Sequence, residues 1–472
     1  MEEAKLYFGS TPQKREKLRE IKNPFNDKVV GLYPVCNAQD AKKALEVAKE
    51  AFEKHKNSML SQRIMWLRDV ASKLKEQKEE FALTITKEVA KPISFSRIEV
   101  QRAIETIELS ADYATSLVGE TINTDATQSG RKTVAFYKRV PLGVVVAITP
   151  FNFPLNLSAH KLAPALVAGN SVVYKPTPEA PITGYKLAKL FIESEYALPD
   201  MLSVVYGDAE VGGALVSSDI PRKISFTGSV PVGKIIMQNA GIKKVSLELG
   251  GNAATFIDKD ADIAMAASRC AVGAFVNSGQ VCISLQRIYV HEAVYEEFAK
   301  ALAQDTKKLK VGDPFEPDTF MGPLINEEAA IRAERWVKSA IEAGARAILE
   351  GKREGRYFYP AIMADVRDDM PIVCEEVFAP IVSLVKVKDY EEAIEKMNNS
   401  PYGLQFSIFT KDIELIKRFI DDAEAGGVVV NDIPTLRFDI QPYGGVKLSG
   451  IGREGPKFAL QEFTEMKSVV IV

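Results

Sequence analysis

From Asp40 onward apolar positions recur at intervals of three and four: Ala41, Ala44, Leu45, Ala48, Ala51 and Phe52. That period predicts a helix behind a cap at Asp40. SQRIMWLRDVASKLKEQ continues it, so the first hundred residues read as helical. The pattern changes at residue 143. Short β-branched runs then alternate with amphipathic stretches: VVVAI (Val144 to Ile148), SVVY (Ser171 to Tyr174), LSVVY (Leu202 to Tyr206), KISFT (Lys223 to Thr227) and VSLEL (Val245 to Leu249). Strand and helix taking turns predicts right-handed crossovers and a parallel, doubly wound α/β sheet. Dinucleotides bind such sheets at the carboxyl ends of the strands. A second series, AATFI (Ala253 to Ile257), RIYVH (Arg287 to His291), QFSIF (Gln405 to Phe409) and GVVVN (Gly427 to Asn431), predicts a second α/β domain.

Two segments stand outside the alternation. Residues 119–139, GETINTDATQSGRKTVAFYKR, alternate and carry turn residues, which predicts a protruding hairpin. The terminal SVVIV (Ser468 to Val472) is an apolar strand in need of a partner, and pairing with another subunit would protect its edge. No internal repeat, low-complexity tract or long linker interrupts the chain.

Composition narrows the class. With 472 residues, 46% hydrophobic and 26% charged, the chain has room for two or three domains at ~150 residues each. Its 60 Lys and Arg balance 63 Asp and Glu, with the signs interspersed, which argues against nucleic acid or an anionic membrane as partner. The start MEEAKLYFGS has no apolar secretory core, and no apolar run reaches the ~18 residues of a transmembrane helix. A cytoplasmic protein is the expectation. Cys36, Cys270, Cys282 and Cys374 are widely spaced, without zinc-site spacing, and no metal is called for. Only three histidines, His55, His160 and His291, are present, which disfavours a histidine-based triad.

Five stretches offer chemistry, each with a plainer alternative. FTGSVPVGKI matches a phosphate loop from Gly228 to Lys234, but Ile235 stands where magnesium would need a Ser or Thr. The glycine turn can instead present backbone N–H groups and the Ser229 hydroxyl to a pyrophosphate, or be a simple strand-to-helix turn. Lys175 follows a strand into the proline-stiffened KPTPEAP, where it reaches a ribose or phosphate or is merely solvated. Asn152, in TPFNFPLN, is either an oxyanion donor or the seat of a local Asx turn. Glu248 ends the apolar run SLEL; burial would raise its pKa toward that of a general base, whereas a solvent-facing carboxylate would be ordinary. Cys282, in NSGQVCIS, is a small buried hydrophobe or a nucleophile displayed at a turn. Together the five supply a nucleophile, an oxyanion donor, a base and a dinucleotide loop.

That combination resembles the aldehyde dehydrogenase superfamily over nearly the whole chain, from NPFNDKVVG to FTEMKSVVI. The matching motifs are PFNFP, KPTPEAP, FTGSVPVG, LELGGN, NSGQVC, EEVFAP and PYGGVKLSGIGREG. The resemblance implies two Rossmann-like domains plus a β oligomerisation hairpin. Residues 1–118 and 140–247 would bind the dinucleotide, 248–440 would carry catalysis, and 119–139 with 459–472 would form the oligomerisation arm of a homodimer or homotetramer. It implies Cys282 as nucleophile, Asn152 as oxyanion donor and Glu248 as the base that activates water. Lys175, Gly228, Ser229, Thr149, Pro150, Phe151, Glu376 and Phe378 would face NAD or NADP. Lys161 and Glu465 fall near the family's proton relay.

Two departures matter. NAD-preferring members often carry a glutamate where this chain has Pro178, with Glu179 one place later, so either cofactor is open. EEVFAP has Ala379 in place of the usual glycine, a harmless change. For the substrate, Arg102 and Arg437 stand where relatives acting on anionic aldehydes keep arginines, though a salt bridge explains both equally. Phe153 and Val281 would line the same site, and Val281 opposes a phosphorylated aldehyde. The expectation is a small polar aldehyde, of the lactaldehyde or succinate-semialdehyde kind. The rivals are a non-phosphorylating glyceraldehyde-3-phosphate dehydrogenase, a CoA-acylating enzyme, which Glu248 disfavours, and an idle binding member.

Overall fold

The computed structural model describes residues 2–472, and every strand expected after residue 143 is formed. An eight-stranded sheet runs in the spatial order 450–451, 244–248, 223–227, 144–148, 171–175, 202–204, 6–8, 11–13. Its five central strands are mutually parallel. Strands Val144–Ile148, Ser171–Lys175 and Lys223–Thr227 are buried at every position, because helices cover both faces. From 144–148 the chain winds to 171–175 and 202–204 on one side, then returns to place 223–227 and 244–248 on the other. The order therefore reverses between 144–148 and 223–227, and a crevice opens beyond their carboxyl ends.

The seven-stranded second sheet has the order 346–350, 361–364, 381–387, 285–291, 253–257, 405–409, 427–430, parallel except at its first pair. Three of these strands, 346–350, 361–364 and 381–387, were not expected from the sequence. Arg346–Glu350 is charged at both ends, and the turns around it break the alternation that would reveal it.

The first hundred residues hold the expected helices, Ala38–His55, Leu60–Glu76, Lys78–Val89 and Ile93–Tyr113, but only from residue 38 onward. Before that the chain is β. Val29–Pro34 pairs with Leu18–Lys22 and Glu2–Glu3, while Leu6–Phe8 and Thr11–Gln13 extend the first large sheet. Strands of two to six residues, charged and half-exposed, carry too few apolar positions to show a period of two. The helix cap is also one turn earlier than expected. Asn37 accepts from the backbone N–H groups of Gln39 and Asp40, and Asp40 accepts from Asn37 in return, a reciprocal capping box.

The predicted hairpin of 119–139 survives as a single bridge, Thr121 with Phe136. The main partner of Val134–Pro141 is the terminal strand Thr464–Ile471, paired antiparallel over eight positions within the same chain. Among the described residues the other edge of the terminal strand has no partner, and Met466, Val470 and Ile471 are exposed.

Candidate active site

Cys282 sits on the loop that leads into strand Leu285–His291, at the amino edge of the second sheet. Backbone φ is positive at three successive residues: +52° at Asn277, +56° at Ser278 and +71° at Gly279. Left-handed runs of this kind are costly for side-chain-bearing residues and persist only when clamped. Here the Ser278 hydroxyl donates to the Gly322 carbonyl at 2.7 Å, and Gln280 accepts from the Ile325 N–H at 2.9 Å. Gly279 is required twice over, since a Cβ there would also lie 2.3 Å from the Ala379 carbonyl oxygen. The clamped turn leaves the cysteine half-buried with its sulfur 3.0 Å from the Tyr443 hydroxyl. Burial pushes the thiol up to about 11, while the Tyr443 hydrogen bond and the Arg437 charge pull it back.

Asn152 faces the sulfur side of the cavity from the loop after strand Val144–Ile148. Its carboxamide oxygen accepts the Phe153 N–H at 3.2 Å, which fixes the amide and directs Nδ2 away from the backbone. The local hydrogen bond uses only the amide oxygen and leaves Nδ2 without a protein partner among the described residues. The loop itself is held by Glu99, whose carboxylate accepts the Leu155 and Asn156 N–H groups at 2.9 and 3.2 Å, capping helix Asn156–Val167. Glu99 is in turn ion-paired with Lys91; both are fully buried, and the Lys91 ammonium lies 3.8 Å above the Phe153 ring. Neither residue was picked out from sequence. Their signal, two opposite charges eight apart in a stretch that also holds the exposed Arg97 and Ile98, needs the fold to be recognised.

Glu248 ends strand Lys244–Glu248 and is fully buried, with neither carboxylate oxygen hydrogen-bonded. Desolvation raises its pKa well above the ordinary value, and the nearby charge of Glu454 adds to the shift. Glu454 is held low instead, because Lys161 and Arg437 overcome its burial. The Lys161 ammonium donates to Glu454 at 3.0 Å and the Arg437 guanidinium at 3.2 Å. Two adjacent carboxyls are therefore driven apart, one kept ionised by two cations and one poised to take a proton. Glu465, expected beside Lys161, lies in the arm strand opposite Val140, and the carboxylate that Lys161 meets is Glu454.

The two arginines proposed for substrate are engaged in this network. Arg102 makes a bidentate pair with Asp439 at 2.8 and 2.9 Å, so the salt-bridge reading holds for it. Arg437 stacks on the Tyr443 ring at 3.6 Å and approaches Asp439 as well as Glu454. Burial lowers the His160 pKa against the pull of Asp439, with its Nε2 2.9 Å from Asp439 and Nδ1 unpartnered. No histidine touches Cys282 among the described residues. Asp439 itself, buried, is held far below the carboxylate range by His160 and Arg102.

Two cavities of about 300 Å³ meet at Cys282, each lined also by Leu157, Arg437 and Tyr443. One is walled by Pro150, Phe151, Gly228, Ser229, Glu376 and Phe378. Its residues fit a dinucleotide. Helix Val230–Asn239 opens there with Ser229 as its cap residue, and the Ser229 side chain makes no capping bond, leaving the N-terminal N–H groups free for a pyrophosphate. A Cβ at Gly228 would meet the Phe226 ring at 2.4 Å, and one at Gly250 the Glu376 carboxylate at 2.3 Å. Glu376 accepts the Gly251 N–H at 3.1 Å; desolvation pushes its carboxyl up to about 7. Phe378 holds a strained φ of +46° with its ring edge-on to Phe151 at 6.0 Å. Lys175 ends strand Ser171–Lys175 and is buried outside the cavity wall, where burial lowers its pKa against the charges of Glu179 and Asp208. Thr149 lies deeper, its hydroxyl among those of Ser158 and Tyr174 rather than on the cavity wall.

The sequence profile of the Aldehyde dehydrogenase family matches residues 11–469. The chain belongs to the aldehyde dehydrogenase family. A 3-sulfolactaldehyde dehydrogenase of Priestia aryabhattai is 43% identical over 469 residues, 99% of this chain and 97% of its own. A lactaldehyde dehydrogenase of Methanococcus aeolicus is 41% identical over 456 residues, 96% of this chain and 97% of its own. The crystal structure of glyceraldehyde-3-phosphate dehydrogenase from Methanocaldococcus jannaschii, complexed with NADP, superimposes with a TM-score of 0.93 at 38% identity and covers 97% of this chain and 100% of that one. As an aldehyde dehydrogenase, the protein is an NAD(P)-linked oxidoreductase.

The second cavity of this aldehyde dehydrogenase runs along Phe153, Val272, Val276 and Val281 to Arg102. Its lining combines these apolar side chains with the cations Lys91, Arg102, Arg269 and Arg437. Glu99→Gln should leave Lys91 as an uncompensated buried charge and cost about 3–5 kcal/mol of stability. Chemical denaturation checks this, and pairing Glu99→Gln with Lys91→Met should restore much of the loss.

Proposed function

We propose that this aldehyde dehydrogenase oxidises a small polar aldehyde, of the lactaldehyde or succinate-semialdehyde kind, to the free carboxylic acid. The observation that carries the reading is the position of the Cys282 sulfur at the junction of two cavities, with Asn152 and buried Glu248 on the dinucleotide side. Cys282 attacks the aldehyde carbonyl to form a thiohemiacetal, and the oxyanion is held by Asn152 Nδ2 and the Cys282 backbone N–H. A dinucleotide bound in the first cavity supplies the nicotinamide ring that accepts the hydride. The thioester left on Cys282 is resolved by water, whose proton Glu248 takes. Glu248 has no competing hydrogen bond to break, and its raised pKa suits a base near neutral pH. Lys161 and Glu454 lie behind it as the path by which that proton leaves. Because the base is present and buried beside the cleft, water rather than CoA is the acyl acceptor.

The relatives named above act on lactaldehyde and 3-sulfolactaldehyde, which share a 2-hydroxyl, and a compound of that shape is the favoured substrate. Among the described residues the Nη1 groups of Arg102 and Arg437 have no protein partner, which leaves donors for a hydroxyl or an anionic tail. A glyceraldehyde-3-phosphate reading draws on the structural neighbour of that name. Against it, Val281 is a buried apolar wall residue next to the nucleophile.

The domain around the eight-stranded sheet serves the dinucleotide, and the one around the seven-stranded sheet the cysteine. Lys175 and Ser229 bind the adenosine ribose and pyrophosphate, and Glu376 the nicotinamide ribose. NADP is favoured as cofactor alongside NAD, because Pro178 presents no carboxylate to a 2′-phosphate and the M. jannaschii structure contains NADP. The open edge of Thr464–Ile471 and its exposed apolar residues fit a homo-oligomer built through the arm. Four free thiols fit a reducing compartment such as the cytoplasm.

Asn152→Ala should lower kcat about 10²–10³-fold while dinucleotide binding is retained, read by stopped-flow turnover and cofactor titration. Glu248→Gln should give one stoichiometric burst of reduced cofactor followed by slow turnover. In the wild type the hydrolytic step should quicken as pH rises above the ordinary carboxylate range, because only ionised Glu248 accepts the proton and its pKa is raised. Strict dependence on added CoA would refute the role of Glu248. Across lactaldehyde, 3-sulfolactaldehyde and succinate semialdehyde, Arg102→Gln should raise KM about tenfold for the anionic aldehydes and less for lactaldehyde. Equal effects would reduce Arg102 to its salt bridge.

A further inference from the structure

Tyr443 touches the reacting sulfur and is used nowhere in the steps above. Its hydroxyl is 3.0 Å from Cys282 Sγ, its side chain is buried, and it walls both cavities at the point where they meet. The Arg437 guanidinium lies 3.6 Å from the ring centre on one face. The Tyr443 backbone is fixed by two hydrogen bonds to Glu454, at 2.6 and 3.1 Å, and Glu454 binds that same Arg437. Ring, guanidinium and carboxylate thus close a loop that presents the hydroxyl to the sulfur.

We propose that Tyr443 is a catalytic residue: its hydroxyl donates a hydrogen bond to the Cys282 sulfur and stabilises it as the thiolate, and Arg437 is the positioning residue that holds and polarises the ring. The proposal rests on Cys282 being the nucleophile. When the thiol is neutral either atom can donate, but once its proton has gone to water only the tyrosine can, so the bond strengthens as charge develops. A cation on the ring face withdraws electron density and makes the phenol a better donor. No histidine or lysine reaches the sulfur among the described residues, which leaves this hydroxyl as its side-chain hydrogen-bond partner. Burial by itself opposes the thiolate, and the Tyr443 hydrogen bond and the Arg437 charge work the other way. The same bond assists deacylation. As the water oxygen bonds to the acyl carbon and its proton passes to Glu248, the C–S bond breaks and its electron pair stays on sulfur, where the hydroxyl receives it.

The test is the pH dependence of Cys282 alkylation by iodoacetamide, followed by peptide mass mapping in the full-length enzyme. Tyr443→Phe keeps the ring and its arginine stack, so it removes the hydroxyl alone. The expected result is an alkylation midpoint raised by about one to two pH units and kcat/KM at neutral pH reduced about 10- to 100-fold. Loss of packing would lower the melting temperature without moving that midpoint. A midpoint within about 0.3 unit of wild type would overturn the proposal. The readout does not depend on turnover, so it separates from the nucleophile assignment, which fails independently if Cys282→Ala retains dehydrogenase activity.

Discussion

The site depends on a close approach that two glycines permit. Gly250 and Gly251 connect the last central strand of the first sheet to the first strand of the second, and the backbone there has neighbours on both sides. A Cβ on Gly250 would stand 2.3 Å from the Glu376 carboxylate, and one on Gly251 would stand 2.4 Å from the Cys282 carbonyl oxygen. With hydrogen in those places the carboxyl edge of one sheet meets the amino edge of the other across a narrow cleft. Glu248 is thereby delivered from the first sheet, and Cys282 and Glu376 from loops entering the second. The glycines bring Cys282, Glu248 and Glu376 within one small volume.

The charged groups around that volume are buried, and their arrangement sets its electrostatics. Lys161, Arg437 and Arg102 are matched by Glu454 and Asp439, so the anions they hold stay ionised despite burial. Glu248 is left out of those pairs and takes the consequence, a carboxyl raised by desolvation and by its ionised neighbour. A buried ion network usually adds little net stability, because desolvation offsets attraction. Here its effect is to separate two carboxyl groups into a fixed anion and a proton acceptor. The Lys91–Glu99 pair acts on geometry in the same way, since it fixes the loop that aims Asn152.

Much of this was legible in the sequence, and the failures have a common cause. Cys282, Asn152, Glu248 and Ser229 stand within a few residues of strand ends or glycine turns, so local pattern was enough to mark them as candidates, whereas Glu376 was marked only by the family motif EEVFAP. Partners set by tertiary contact were not. Lys161 was matched to Glu465, whereas its carboxylate is Glu454, 293 residues away in sequence and fixed by a backbone bridge to Tyr443. For Arg102 a salt bridge was one of two open readings, but its partner Asp439, 337 positions on, could not be named from spacing. The strands of residues 2–34 were too short and too charged to show alternation. The arm strand 134–141 was read as half of a local hairpin because its real partner lies at the far end of the chain.

The central claim is that oxidation passes through an acyl group held on Cys282 and released by water under the control of Glu248. Acid-quench mass spectrometry of the Glu248→Gln enzyme, mixed with lactaldehyde and NADP, tests it most directly. The account predicts a stoichiometric mass gain equal to the lactoyl group, mapped to the peptide carrying Cys282 and removed by hydroxylamine. Reduced cofactor formed with no adduct, or with the adduct on another residue, would contradict it.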